Sequence, residues 1–437
     1  MALHFLSHSI GPRCGGDVAL QLDSFDPAPL PPDVLTRHVI TVPARNDHML
    51  RESELVGVGN WKAPEDVAYD AKSGVIYTGC ADGWISRVTV NDSAADSVVE
   101  KWVNTGGRPL GIAFGQNNEL IVADPQKIAV KMESPAASSS ASTDLTSNQT
   151  TPIRLDPLVF TVGDEFTRRK LDVISIALAT PTHRGTERVS DGTSTQVVAW
   201  GLLNVTADGV VELLTDEAEG QKFKTTNAVD VAHNGIIYFT DASYKYSVSK
   251  ANWDLLEGKP NGRLLSYDPA TKTTKVLVHN LYFANGVVVS PDQNYVIFCE
   301  TPMCGKYHIQ GKEKGKVDKF IDYLPGLPDN IRYDGGGQYW IALYRGHTLE
   351  FDIAFRYPFI RKILIIVEKY IGRPRIEKNG GVLAIDLVGN PIAHYYDPGL
   401  AMVSSGIKIG NHLYCGSVAL PYIIRLNLKQ DPGQAAT

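Results

Sequence analysis

A six-bladed, all-β propeller is the fold class this sequence predicts, and three observations predict it. One strand–turn–strand pattern recurs six times, a second hairpin follows each of the first five repeats, and the spacing is that of propeller blades, about 45 residues. The repeats are EDVAYDAKSGVIYTG from Glu65, LGIAFGQNNELIVAD from Leu110, NAVDVAHNGIIYFTD from Asn227, NGVVVSPDQNYVIFCE from Asn285, DNIRYDGGGQYWIALY from Asp329 and SGIKIGNHLYCGS from Ser405. In each, apolar residues alternate with polar ones, break at Asp, Gly or Asn, and resume, which marks short half-buried strands joined as hairpins. The second hairpins start at Gly83, Gly201, Gly262, Lys306 and Gly381; after the sixth repeat only YIIRLNLK from Tyr422 remains. Two hairpins per repeat make a four-stranded antiparallel blade.

Two segments stand outside the repeat. Residues 125–198 divide the second blade and contain SPAASSSASTDLTSNQTTP, too poor in large apolar residues to offset the entropy of ordering, so a largely disordered insertion is expected. Residues 354–377 divide the fifth blade and predict an amphipathic cover helix. Pro358 suits its first turn, and Phe359, Ile360, Ile363, Leu364, Val367, Tyr370 and Ile371 recur at helical spacing, with Arg361, Lys362, Glu368 and Lys369 opposite. Such a helix either packs on the propeller top or, through 359–371, contacts a membrane surface. The propeller is assigned to residues 22–431, leaving an N-terminal stub (1–21) and a tail (432–437).

The mild net charge of −6 argues against a nucleic-acid partner or a general anionic-membrane partner. Five cysteines (Cys14, Cys80, Cys299, Cys304, Cys415) are too few for a disulfide framework; Cys80, Cys299 and Cys415 fall in core strands and read as buried thiols. The apolar start of MALHFLSHSIGPRC is too short for a signal peptide, so no such segment is predicted. Asn91, Asn148 and Asn204 nevertheless head N-glycosylation sequons, which act only in the secretory pathway.

The first strand of every propeller blade lines the central channel. Glu65, Asn227, Asn285, Asp329 and Asn330 open four of the six repeats, so their oxygens should converge on the axis. Carboxylate and amide oxygens without Cys or His suit a hard cation, and Ca2+ best of all, because it accepts six to eight oxygens in irregular geometry. The alternative is that each residue caps a turn through local hydrogen bonds.

The motifs APEDVAYD…IYTGCADGWI, RPLGIAF, GLLNVTADGVVELLT, DVAHNGIIYFTDASYKY, GRLLSYDPATKTTKVL, YFANGVVVSPDQNYVIFCET and LPGLPDNIRYDGGGQYWIAL resemble the plant strictosidine synthase-like family, with adipocyte plasma membrane-associated protein more distant. The resemblance covers about residues 22–124 and 200–431. It implies a six-bladed propeller with a helical cover, a glycoprotein, and residence in the endoplasmic reticulum, vacuole or secretory route. True strictosidine synthase uses a glutamate on the first strand of its last blade; the matching position is Ser404, which has no useful base. The wider superfamily of calcium-dependent lactonases implies the same ligand set, Glu65, Asn227, Asn285, Asp329 and Asn330. Its second-blade histidine is matched by Leu110. His233, His308 and His347 read as surface loop residues. The expected function is a calcium-dependent hydrolase of a small ester or lactone held in the channel. The alternatives are a non-catalytic membrane-associated or binding scaffold, and amine–aldehyde condensation of the alkaloid-forming kind.

Overall fold

A computed structural model describes residues 25–31, 40–89, 91–125, 188–189, 196–197, 200–373, 377–430 and 433–435. Its strands form six antiparallel four-stranded blades. Blade 1 holds Val67–Asp70, Val75–Gly79, Trp84–Thr89 and Val98–Asn104; blade 2 holds Gly111–Phe114, Leu120–Asp124, Gly201–Val205 and Val211–Thr215. Blade 3 holds Thr226–Val231, Ile237–Asp241, Gly262–Asp268 and Thr273–Leu281; blade 4 holds Val287–Val289, Tyr295–Glu300, Met303–His308 and Val317–Ile321. Blade 5 is Gly326–Tyr333, Gln338–Gly346, Gly380–Asp386 and Pro391–Asp397. Innermost strands touch in cyclic order, and that of blade 6 touches that of blade 1, so the ring is closed.

Closure uses chain from before the first repeat. Blade 6 has three strands of its own, Val403–Ile409, His412–Ser417 and Ile423–Asn427, and its outer strand is Ser53–Val56, antiparallel to the third. Residues flanking the repeats also extend blade 5: Ala44–Asn46 pairs in parallel with Pro391–Asp397, and Gln434–Ala435 pairs with Ala44–Asn46. The assigned boundary at 431 therefore moves outward, because the ladder continues into what read as a tail.

Six apolar clusters sit one at each blade interface, such as Ile112, Leu120, Val122 and Leu203 between blades 1 and 2. Another is Val56, Trp61, Val67 and Ile423 between blades 6 and 1. At about 1.5–3 kcal/mol per large apolar side chain fully buried, these clusters outweigh any single polar contact in the ring.

Each blade's second-to-third-strand connection leaves on the side where its innermost strand begins, so the long connections of blades 3 and 5 lie on that one side. Blade 3 places helix α1 (Ala251–Glu257) there, an element with no repeat signature. Blade 5 places α2 (Leu349–Arg356) and α3 (Pro358–Tyr370). The single cover helix expected over 354–377 is thus two helices. Tyr357, preceding Pro358, takes an extended conformation (φ −118°, ψ 104°), because the proline ring excludes the helical one. Thr348 caps α2 through the Phe351 N–H. The insertion at 125–198 lies almost wholly outside the described residues; within it Arg188–Val189 pairs with Gln196–Val197.

One sulfur pair corrects the sequence reading. Cys299 and Cys304 face each other across the blade 4 hairpin and form a disulfide. A count of cysteines does not reveal hairpin register, and register is what brings these two together. Cys80 and Cys415 are buried free thiols, as expected, and burial pushes the Cys80 thiol up to about 11. Cys14 lies outside the described residues.

Helix α1 is tied to blade 3 by a buried carboxyl. Asp254 accepts from Ser243 Oγ at 2.6 Å and from Asn261 Nδ2 at 2.8 Å, and burial pushes it up to about 7. A carboxyl raised in the folded state adds stability below its unfolded value, and that contribution is lost as pH rises through the folded one. Asp254→Asn mimics the protonated form. Its melting temperature should therefore gain on wild type between about pH 4 and about pH 8. A difference that stays flat across that window would show that Asp254 does not titrate there.

Candidate metal centre

The five residues expected at the axis belong to, or immediately precede, the innermost strands of blades 1, 3, 4 and 5, and local backbone irregularity aims several of them. Pairing along the innermost strand of blade 3 slips between Thr226 and Val229, and along that of blade 5 between Pro328 and Ile331. Such bulges re-aim side chains, here those of Asn227 and of Asp329 with Asn330. Asn285 precedes its strand, fixed by its N–H to the Cys299 carbonyl at 2.8 Å. Glu65 likewise precedes the strand of blade 1, its N–H donating to the Gly79 carbonyl at 2.9 Å.

Two glycines allow the blades to approach this closely. A Cβ on Gly286 would lie 2.5 Å from the Asp329 carbonyl oxygen, and one on Gly416 would lie 2.4 Å from that of Glu65. The same Glu65 carbonyl accepts from both Ser404 Oγ and Ser405 Oγ at 2.7 Å. Ser404 is therefore a clamp between blades 6 and 1.

All five candidate ligands are between 1% and 5% exposed. Asn330 Nδ2 donates to Glu65 Oε1 at 3.2 Å, and the Asn285 side chain bonds the Asp329 carboxyl. Thr240 Oγ1 links the remaining pair: it donates to the Asn285 carbonyl at 2.7 Å and accepts from Ala228 N, next to Asn227, at 3.1 Å. One side-chain oxygen of each of the five residues has no hydrogen-bond partner among the described residues: Glu65 Oε2, Asn227 Oδ1, Asn285 Oδ1, Asp329 Oδ1 and Asn330 Oδ1. Buried polar atoms are ordinarily satisfied, and each left unmade costs about 1–3 kcal/mol. Turn caps would be satisfied locally; these oxygens are not. Burial pushes Asp329 up to about 8, and burial together with the neighbouring Asp329 carboxyl holds Glu65 well above the usual carboxylate range. Glu65, Asn285, Asp329 and Asn330 interact directly, and with Asn227 on the neighbouring innermost strand they supply two acids and three amides, donors that fit a hard cation. No group of three or more His, Cys, Asp and Glu occurs among the described residues, so amide oxygens are essential to this set.

A buried ion pair braces the site. Asp66 Oδ1 accepts from Val67 N and from Arg332 Nε, and Oδ2 from Ile112 N and Arg332 Nη2. Arg332 also donates to the carbonyls of Val229, at 3.3 Å, and Ile112, at 2.8 Å. Blades 1, 2, 3 and 5 are thus joined at the axis by one carboxylate and one guanidinium.

Four residues that the sequence reading did not assign to the site stand near it: Arg108, Tyr344 and Arg373, which it did not name, and Glu377, an acid of the cover insertion. Arg108 is largely buried; its Nη2 donates to the Val418 carbonyl at 3.2 Å, while Nε has no partner among the described residues. Arg108 acts electrostatically on both Glu65 and Tyr344. Tyr344, raised by burial and also by the Asp329 carboxyl, accepts from Arg373 Nη2 at 3.2 Å, and Arg373 in turn pairs with Glu377 at 2.6 Å. Arg108 lies two residues before Leu110, and Tyr344 within Gln338–Gly346, the partner strand of the LPDNIRYD motif, but no spacing in the sequence singles them out.

Leu110 is buried. His233 is an exposed turn residue, whereas His308 pairs with Asp318 at 2.9 Å and His347 meets the Leu324 carbonyl before α2. Of the sequons, Asn91 lies in an exposed connection of blade 1. Asn204 is inside a blade 2 strand with its amide bonded to Glu212, and Asn148 lies outside the described residues.

The chain matches the family model described as strictosidine synthase over residues 227–312, and that described as strictosidine synthase-like, N-terminal, over residues 44–88. It is 46% identical over 418 residues to strictosidine synthase-like 7 of Arabidopsis thaliana, covering 95% of this chain and 92% of the relative. The chain belongs to the strictosidine synthase-like family. This family member is also 35% identical to the Gallus gallus adipocyte plasma membrane-associated protein, over 48% of this chain and 54% of the relative. Among solved structures it resembles a gluconolactonase from Xanthomonas campestris, with TM-score 0.50 and 13% identity, over 90% of this chain and 96% of that one. The likeness extends to the propeller fold.

Proposed function

We propose that this chain is a calcium-dependent hydrolase of small esters or lactones, acting in the central channel. The observation that carries the reading is the set of five unpartnered, buried oxygens on Glu65, Asn227, Asn285, Asp329 and Asn330. These residues would hold the cation. When bound, Ca2+ supplies Lewis-acid polarisation of a carbonyl oxygen. Arg108, whose guanidinium keeps an unmatched donor edge beside Glu65, stabilises negative charge gathering on the substrate and on the carboxylate product. Glu377, held by Arg373 next to Tyr344, is the group assigned to take a proton from water. Condensation of an amine with an aldehyde has no support at Ser404, whose hydroxyl is committed to the Glu65 carbonyl.

The test is a panel of aryl esters and aliphatic lactones, assayed with calcium and with chelator. Calcium-dependent turnover is expected, with kcat lowered in Glu377→Gln while calcium binding is retained. Turnover insensitive to chelator, or absent from the whole panel, would overturn the assignment.

The proposed location is the secretory route. The Cys299–Cys304 disulfide suits an oxidising compartment, and Asn91 is exposed enough for glycosylation. Among the described residues no helix is long and apolar enough to cross a membrane.

A further inference from the structure

Helix α3 turns two of its polar residues inward. Arg361 is fully buried and donates to the carbonyls of Leu256 and Ala28, and Glu368 accepts from Asn252 and from Trp253 Nε1. Glu368 is half-buried, and of this helix only Ile365 joins Arg361 in full burial. Ile360, Leu364 and Val367 of the apolar stripe are half-buried, but its outer edge faces out. Phe359 is 62% exposed, Ile363 52% and Tyr370 57%, and on a regular helix these three lie within about 40° of one another. Ile371, just past the helix, is 83% exposed, and Leu349 of α2 adds a further apolar side chain at 71%. Leaving such side chains in water forgoes about 1.5–3 kcal/mol each relative to burial. A sequence that instead buries an arginine on this helix has kept the stripe for an occupant.

We propose that this face docks on an anionic lipid surface. Local charge selects that occupant. Lys362 and Lys369 fall together on one flank of the stripe and are exposed, and Arg356 is exposed at the end of α2. This basic edge stands out on a chain of net charge −6. Aromatic and aliphatic side chains beside lysines whose stems lie along the surface form the pattern of a helix resting in the headgroup layer. A second copy of the chain would bring the same lysines against themselves. Because α3 belongs to the cover, docking would turn the side bearing Glu65 and Asp329 toward the membrane.

The test is flotation of the full chain with phosphatidylcholine vesicles, with and without phosphatidylserine. Binding to the mixed vesicles is expected, weakened by salt. Phe359→Gln/Ile363→Gln should lower affinity by about tenfold or more, as should Lys362→Glu/Lys369→Glu, with melting temperatures unchanged because these side chains are exposed. Wild type that fails to float, or variants that float equally, would overturn the proposal. So would a solution dimer dissolved by the apolar variant, since the stripe's occupant would then be a second copy.

Discussion

Arg332→Met should destabilise the propeller by about 3–5 kcal/mol, the usual cost of removing one partner from a buried ion pair. The loss comes from what remains. Asp66, fully buried, would keep two backbone hydrogen bonds but no countercharge, and the carbonyls of Val229 and Ile112 would lose a donor. Asp66→Asn should do comparable damage from the other side, because it leaves a buried guanidinium. The double variant should recover part of the loss, since neither charge is then stranded. Denaturant midpoints of the two single variants and the double one decide the matter. Single variants no worse than the double would show that the pair contributes little to holding the four blades together.

The metal centre yields a prediction with opposite signs under two conditions. In chelator, Asp329→Asn and Glu65→Gln should melt at or above the wild-type temperature, because each removes one of two acids forced together away from water. In calcium the order should reverse. Ligand binding only the folded state stabilises it by roughly 2.7 kcal/mol at a hundredfold excess over Kd, a gain available to wild type and lost to both variants. Magnesium should substitute poorly, since it demands tighter octahedral geometry. Asp268→Asn, in a turn on the outer hairpin of blade 3, should retain the full calcium response. Wild type that melts alike in calcium and chelator would leave the five oxygens without the ligand proposed for them.

The sequence by itself determined the six blades, because half-buried strands impose period-2 alternation and the turns between them demand Asp, Asn and Gly. It also named residues that open four of the repeats, among which Asn330 bonds Glu65 and Asn285 bonds Asp329 across blades. What it did not carry were relations between distant segments. The outer strand of blade 6 comes from Ser53–Val56, paired with Ile423–Asn427; an isolated four-residue strand has no periodicity to show which edge it will complete. The Cys299–Cys304 bond depends on hairpin register. The turn of α3 depends on whether Arg361 finds carbonyls beneath it, which Leu256 and Ala28 provide. Helical periodicity identifies an apolar stripe correctly but does not state which side the fold covers. In α3 the tertiary structure offered Arg361 and Glu368 their partners and left Phe359, Ile363 and Tyr370 outward, and the role proposed for the cover follows from that choice.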